Sequence, residues 1–215
     1  MSGLLIAGAG GHGRVVADAA QASNIWSSIA FVDDGLAKAT RVDNWLVLGG
    51  LDAAEELAGD FPHIVVAIGD NQTRLSWLKR YINSALSVVS VIHPQSTVSP
   101  RATIGAGSVV FAGAVINTGA TLGTGCIINT GAVIDHDCKL GDAVHISPGA
   151  NLAGEVTVGN FSWVGIGASI RQRIKLGNQV VVGAGAAVVN DFGHNLTLVG
   201  VPAESIDRHR KANHE

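Results

Sequence analysis

The segment IDHDCKLGDAVHISPGA, residues 134–150, carries the side chains best suited to moving a proton. His136 is followed directly by Asp137, and His145 lies nine residues further on. An imidazole of ordinary pKa near ~6.5, beside a carboxylate that stabilises its protonated form, is a suitable general base at neutral pH. The stretch before it, residues 103–134, contains no charged residue at all, so the pair stands out from its surroundings. A second grouping is LLIAGAGGHGRVVADAA, residues 4–20, where Gly8, Gly10 and Gly13 form G-x-G-x-x-G between an apolar run and a helix-favouring run. Glycines so spaced let the backbone at a helix N-terminus approach phosphate groups. A third is IRQRIKLG, whose Arg171, Arg173 and Lys175 are three of the five Lys or Arg residues between 92 and 200. They offer an electrostatic seat for phosphates.

These groups need a scaffold. Residues 3–89 alternate strand and helix signals: apolar runs at Leu4–Ala7, Ile29–Val32 and Ile64–Ile68, with helical spacing over Arg14–Ser23, Leu51–Leu57 and Thr73–Tyr81. Strands joined by short helical crossovers predict a small parallel sheet that binds ligands at its strands' C-terminal ends. Gly10, Gly11, His12, Asp33, Asp34, Gly69 and Asn71 fall at those ends and are the candidate substrate contacts. Asp33 lies twenty residues past Gly13, as in a dinucleotide fingerprint. A dinucleotide fold, however, pairs two mononucleotide halves, and about ninety residues hold only one of them. One half suits one nucleotide, so the glycine loop is expected to hold a substrate and not a redox cofactor.

From Ile92 the period changes to six. Ile92, Val98, Ile104 and onward to Val188 give seventeen aliphatic positions without a slip, and a small or apolar residue sits four places after each. Neither a helix nor an ordinary strand has this period. It fits a solenoid whose flat faces each take one hexapeptide, with glycine at corners of positive φ such as 107, 113, 119, 125 and 131. Asp137 takes that corner in the next repeat. Cys126 and Cys138 fall on inward positions and read as small packing residues. Three faces make a coil of eighteen residues, giving about five and a half coils.

With its GAGGHG, FVDD, AIGDN and INTGAVIDHDCKLGDAVHISPGANLAGEVTVG segments and the closing LVGVPAESI, the chain resembles the hexapeptide-repeat acetyltransferases. Within them it is similar to the nucleotide-sugar N-acetyltransferase and sialic-acid acetyltransferase subfamily, perosamine N-acetyltransferases included. The resemblance implies an α/β N-terminal domain, half-Rossmann-like, over residues 1–90. A left-handed parallel β-helix follows over 91–195, and a closing segment and tail over 196–215. It also implies a homotrimer with acetyl-CoA in the groove between subunits and a nucleotide sugar held by the N-terminal domain. By the same resemblance His136 is the catalytic base, oriented by Asp137 where some members carry Glu. His145, Gly154, Ile166 and Ala184 contact acetyl-CoA, and Asn129 helps to position the acceptor amine.

Composition narrows the field. The formal charge of −3 gives no basic field for nucleic acid. Polar residues interrupt every apolar window long enough to span a membrane. Two cysteines and no basic, apolar leader fit a cytoplasmic protein. Zinc would need three converging imidazoles, whereas His93 and His194 stand at the two ends of the repeat, so no metal is expected. O-acetylation of a sialic acid and a non-catalytic β-helical assembly subunit remain as alternatives.

Overall fold

The structure, a computed structural model, describes residues 3–206. The expected tail from residue 207 onward lies outside them. Strand β1 (Gly3–Ala7) is apolar because it is buried along its whole length. It pairs in parallel with β2 (Ser28–Val32) on one side and β5 (His63–Val66) on the other, and β6 (Ser87–Val88) completes the order β2-β1-β5-β6. Helix α1 (Gly11–Ala22) packs on one face through Val16, Ala17 and Ala20, together with a hairpin formed by β3 (Arg41–Val42) and β4 (Trp45–Leu46). Helix α2 (Asn71–Ile82) and a 3-10 turn at Leu51–Leu57 cover the other face. The hairpin and β6 are additions to the elements expected from sequence, being too short to leave a periodic signal. Both helices begin earlier than expected, at Gly11 and Asn71.

From Val91 to Val188, seventeen two-residue strands recur every six residues. They stack with partners eighteen residues apart, as in Val109, Ile127, His145, Trp163 and Val181. The first face runs up the coils through those residues, the second through Val115, Val133 and Asn151, and the third through Thr121, Lys139 and Thr157. This is a parallel β-solenoid with a dry aliphatic interior, in which Cys126 and Cys138 are fully buried. Burial pushes the Cys126 thiol up to about 12 and the Cys138 thiol to about 11, so neither is a nucleophile at neutral pH. A strand at Thr197–Val199 and its antiparallel partner Glu204–Ile206 close the first face.

Corners lie at positive φ, but glycine is not obligatory there. Asp137, Ala143, Glu155, Phe161, Arg173 and Gln179 adopt the same conformation at φ between 53° and 63°. Asp137 is therefore one of several side chains on these corners, and its meaning comes from what it touches. The corner after the third face carries a ladder: the N–H of Thr124 donates to Asp142, that of Asp142 to Asn160, and that of Asn160 to Asn178. The ladder ends with the Asn178 N–H on His194 Nδ1 at 2.8 Å.

The two parts are riveted by Arg74, only 1 % exposed. From α2 its guanidinium donates to the carbonyls of Gly125 and Ala143 on successive coils, to those of Ile68 and Gly69 after β5, and to Asn71 Oδ1. A buried charge is tolerable when its donors are so fully engaged. Val91, Val109, Phe111 and Ile127 of the first face pack beneath α1 and bury the solenoid's early coils.

Candidate active site

At the C-terminal ends of β1 and β5 the backbone is bare. Gly10, Gly11 and Gly69 have nothing within 4 Å of the place a side chain would occupy. Gly10 caps α1 in extended conformation with no side chain bonding the first-turn N–H groups. Those donors and the helix dipole form an anion-binding end. Gly13 has a different purpose, since a Cβ there would stand 2.0 Å from the Gly8 carbonyl oxygen. The helix can sit this close to the strand only without a side chain. Asp33 accepts from the N–H groups of Ala9 and Gly35, and Asp34 from that of Leu51, so the acidic pair also shapes the cleft's loops. Asn71, expected at the rim, is instead 8 % exposed. Its amide donates to the Phe161 carbonyl and its oxygen accepts from Arg74, which ties it into the domain junction.

His12 turns toward the solenoid. Its ring meets Phe111 edge-on at 5.7 Å, and its Nε2 is buried with no partner. Burial, aided by the Arg74 charge, pushes it down to about 4. His145 lies on the same face, stacked on Trp163 with ring centroids 4.7 Å apart. The Asn129 oxygen accepts from the Thr130 N–H, which leaves the amide NH2 facing His145 Nε2 at 3.4 Å. The proton of the neutral ring then sits on Nδ1, a buried atom with no partner. Burial, with the Arg74 and His12 charges, pushes His145 down to about 3, so it is neutral at any working pH. Beyond it runs a largely apolar groove of about 480 Å³ whose walls include Asn129, His145, Trp163, Ile166, Gly183 and Ala184. The Trp163 indole is fixed by donating to Ser147 Oγ at 2.7 Å.

His136 stands elsewhere on the chain, on the corner that follows the second face. Its Nδ1 lies 2.9 Å from Asp137 Oδ2. A carboxylate can only accept, so Nδ1 carries the proton and Nε2 is left as the basic lone pair. The hydrogen bond that the ring donates to Asp137 is the largest influence raising the His136 pKa above its ordinary value. Gly154, one coil further on, lies against the ring: a Cβ there would be 2.3 Å from His136 Nε2. Gly154 thus belongs with His136, whereas Ile166 and Ala184 line the groove. Within one chain the solenoid's second face separates the two sets.

The basic run is divided as well. Arg173 pairs with Glu155 at 3.1 Å, while Arg171 and Lys175 are exposed on the second corner and third face, away from this chain's groove. Sequence reasoning missed Trp163, Ser147 and Arg74. Arg74 had left one trace: it sits on the buried stripe formed with Asn71, Leu75, Leu78 and Tyr81. Among the described residues, no group of three or more His, Cys, Asp or Glu is placed to hold a metal ion. No helix there is long and apolar enough to cross a membrane.

A family model described as the PglD N-terminal domain matches residues 3–81. A search of curated protein sequences gives no match. Among solved structures, the acetyltransferase domain of PglB from Neisseria gonorrhoeae FA1090, in complex with acetyl coenzyme A, is 41 % identical. The match covers 95 % of this chain and 98 % of that one, with a TM-score of 0.91. PerB from Caulobacter crescentus, in complex with CoA and GDP-perosamine, is 38 % identical over 96 % of this chain and 98 % of its own, with a TM-score of 0.91. WeeI from Acinetobacter baumannii AYE is 25 % identical over 96 % of this chain and all of its own (100 %), with a TM-score of 0.86. The chain belongs to the left-handed β-helix, hexapeptide-repeat acetyltransferases, in the subfamily of the nucleotide-sugar N-acetyltransferases and sialic-acid acetyltransferases.

Proposed function

We propose that this protein transfers the acetyl group of acetyl-CoA to the C4 amino group of a nucleotide-linked 4-amino-4,6-dideoxyhexose. GDP-perosamine is the first candidate, since PerB binds it and is 38 % identical. The observation that carries the reading is the His136 imidazole, protonated at Nδ1 toward Asp137 and presenting Nε2 over the bare backbone of Gly154. The α1 N-terminus and the open glycines suit the diphosphate. The apolar groove beside His145 suits pantetheine.

The amine lone pair attacks the thioester carbonyl as His136 Nε2 takes the amine's proton, a contribution typically of ~10²–10⁴-fold. The Gly154 N–H donates to no carbonyl among the described turns, so it is available to receive the developing oxyanion. The C–S bond then breaks, and the imidazolium returns its proton to the departing thiolate. The acetamido sugar and CoA are the products. Because His136 and the groove lie apart on one chain, a complete site takes His136 from one subunit and the groove of its neighbour. This supports a homotrimer, in which the second-corner cation Arg171 is the one available to the CoA phosphates.

The test measures thiol release from acetyl-CoA against a panel of nucleotide-linked 4-amino sugars and free sialic acid. Release with a nucleotide amino sugar, and product mass increased by one acetyl group, supports the reading. Release with sialic acid alone moves the reaction to O-acetylation, and no release with any acceptor overturns it.

A further inference from the structure

His136 is flanked by acids on both sides, and only one of them touches its ring. Asp135 is half-buried and turned toward the backbone: its Oδ1 accepts the His136 N–H at 2.8 Å. The same oxygen accepts from Asn117 Nδ2 at 2.8 Å, and Asn117 is eighteen residues earlier, one coil away on the same column. The Asp135 N–H is itself bound to the Leu152 carbonyl at 3.0 Å, on the coil after. Three consecutive coils therefore converge on the residue before the base. The two bonds also hold the Asp135 carboxyl below the usual carboxylate range, so it is charged wherever the enzyme works.

We propose that Asp135, tethered by Asn117, is a positioning residue for His136. It fixes the backbone from which the imidazole reaches over Gly154, and it adds a second negative charge that favours the imidazolium formed during acyl transfer. The proposal rests on reading His136 as the base. The geometry explains why an acid is used where an amide would satisfy the turn. Asn129, at the equivalent place one hexapeptide earlier on the preceding corner, accepts the Thr130 N–H through its side-chain oxygen at 2.9 Å with no charge. The charged groups around the imidazole are Asp135 and Asp137 on its own corner, and Glu155 on the next coil, which is itself engaged by Arg173. Asp135 is thus the one acid whose direct bonds go to the histidine's backbone and not to its ring.

The experiment compares Asp135→Asn, Asp135→Ala and Asn117→Ala with the unmodified protein by two readouts. The first is NMR titration of the His136 ring in the protein without substrates. The second is the pH–rate profile for acetyl transfer. Asn keeps an oxygen for the His136 N–H and loses only the charge, so the His136 pKa should fall by about half a unit at unchanged melting temperature. Turnover should fall roughly three- to tenfold with the KM of both substrates unchanged. Ala loses the bond too, and turnover should fall at least about tenfold further. Asn117→Ala leaves the charge but frees it, and should lower turnover without lowering the ring's pKa. If Asp135→Asn titrates and turns over like the parent while His136→Ala is inactive, Asp135 has no such role. If His136→Ala stays active, the general-base reading fails, and the titration alone still decides whether Asp135 acts on the ring.

Discussion

The His136 imidazole and the Asp137 carboxylate are joined by a 2.9 Å hydrogen bond between Nδ1 and Oδ2, although both side chains are about half exposed, at 49 % and 63 %. Here Asp137 sits on a left-handed corner at φ 58°, which swings its carboxylate back toward the preceding ring. Only the deprotonated imidazole is a base, so kcat/KM should rise with pH through a pKa above ~6.5 and then level. His136→Ala should lower turnover by at least about a hundredfold, with little change in nucleotide-sugar KM. Asp137→Asn should move the acidic limb to lower pH, because the partner that favours the imidazolium is gone. Steady-state kinetics from pH 5.5 to 9 read all three.

Gly154→Ala tests the surface beneath the ring. The added methyl carbon would lie 2.3 Å from Nε2, and the exposed imidazole is the group able to move. Turnover should approach that of His136→Ala while melting temperature stays within about 2 °C. Parent-like turnover would show that the ring need not rest there.

Gly10→Ala and Gly11→Ala separate binding from stability. Neither methyl meets an atom of the chain, so neither variant should unfold more readily. Gly11→Ala, inside the first turn of α1, should even gain roughly 0.5–1 kcal/mol from helix propensity. Both methyls stand over the helix end proposed for the diphosphate, and the nucleotide-sugar KM should rise at least about tenfold.

Arg74→Ala strips buried carbonyls on both sides of the domain junction of their donor. Leaving such groups unpaired should cost about 3–5 kcal/mol by urea unfolding. Arg74→Lys should recover part of this, since one ammonium cannot reach acceptors on two coils and a loop at once.

His145 makes stability depend on pH. Its folded-state pKa of about 3 lies below the unfolded value, so the unfolded chain binds the extra proton. The contribution is full above pH ~6.5 and is lost as pH falls toward 3. Between pH 7 and 4.5 this one residue should remove about 2–3 kcal/mol. His145→Gln should show a correspondingly shallower slope in urea unfolding across that range.

Much of this molecule is legible in its residues because a solenoid repeats one local decision. Each aliphatic position from Ile92 to Val188 is the second residue of a strand, and each glycine at 107, 113, 119, 125 and 131 is a left-handed corner. Counting eighteen from His136 reaches Gly154, and the same count carries Ile166 to Ala184, so stacked partners follow from arithmetic. What side chains do across the stack does not. That the His12 ring leaves the glycine loop for Phe111, and that Asn71 is drawn into the domain junction, depend on how α1 and α2 dock against the first face. Docking leaves no period in the sequence. Arg74 shows the limit well: a guanidinium on a helix looks solvated until the carbonyls that surround it are in place.

The ladder of Asp142, Asn160, Asn178 and His194 gives the column a direction. Every carboxyl or amide oxygen in it answers to the main chain of the coil below, so an added eighteen-residue coil carrying one more such side chain could be spliced in without leaving an orphan. The imidazole at the top ends the series as a different kind of acceptor. Lengthening of this kind would carry the closing hairpin away from His145 by one strand spacing, roughly 4.8 Å per coil.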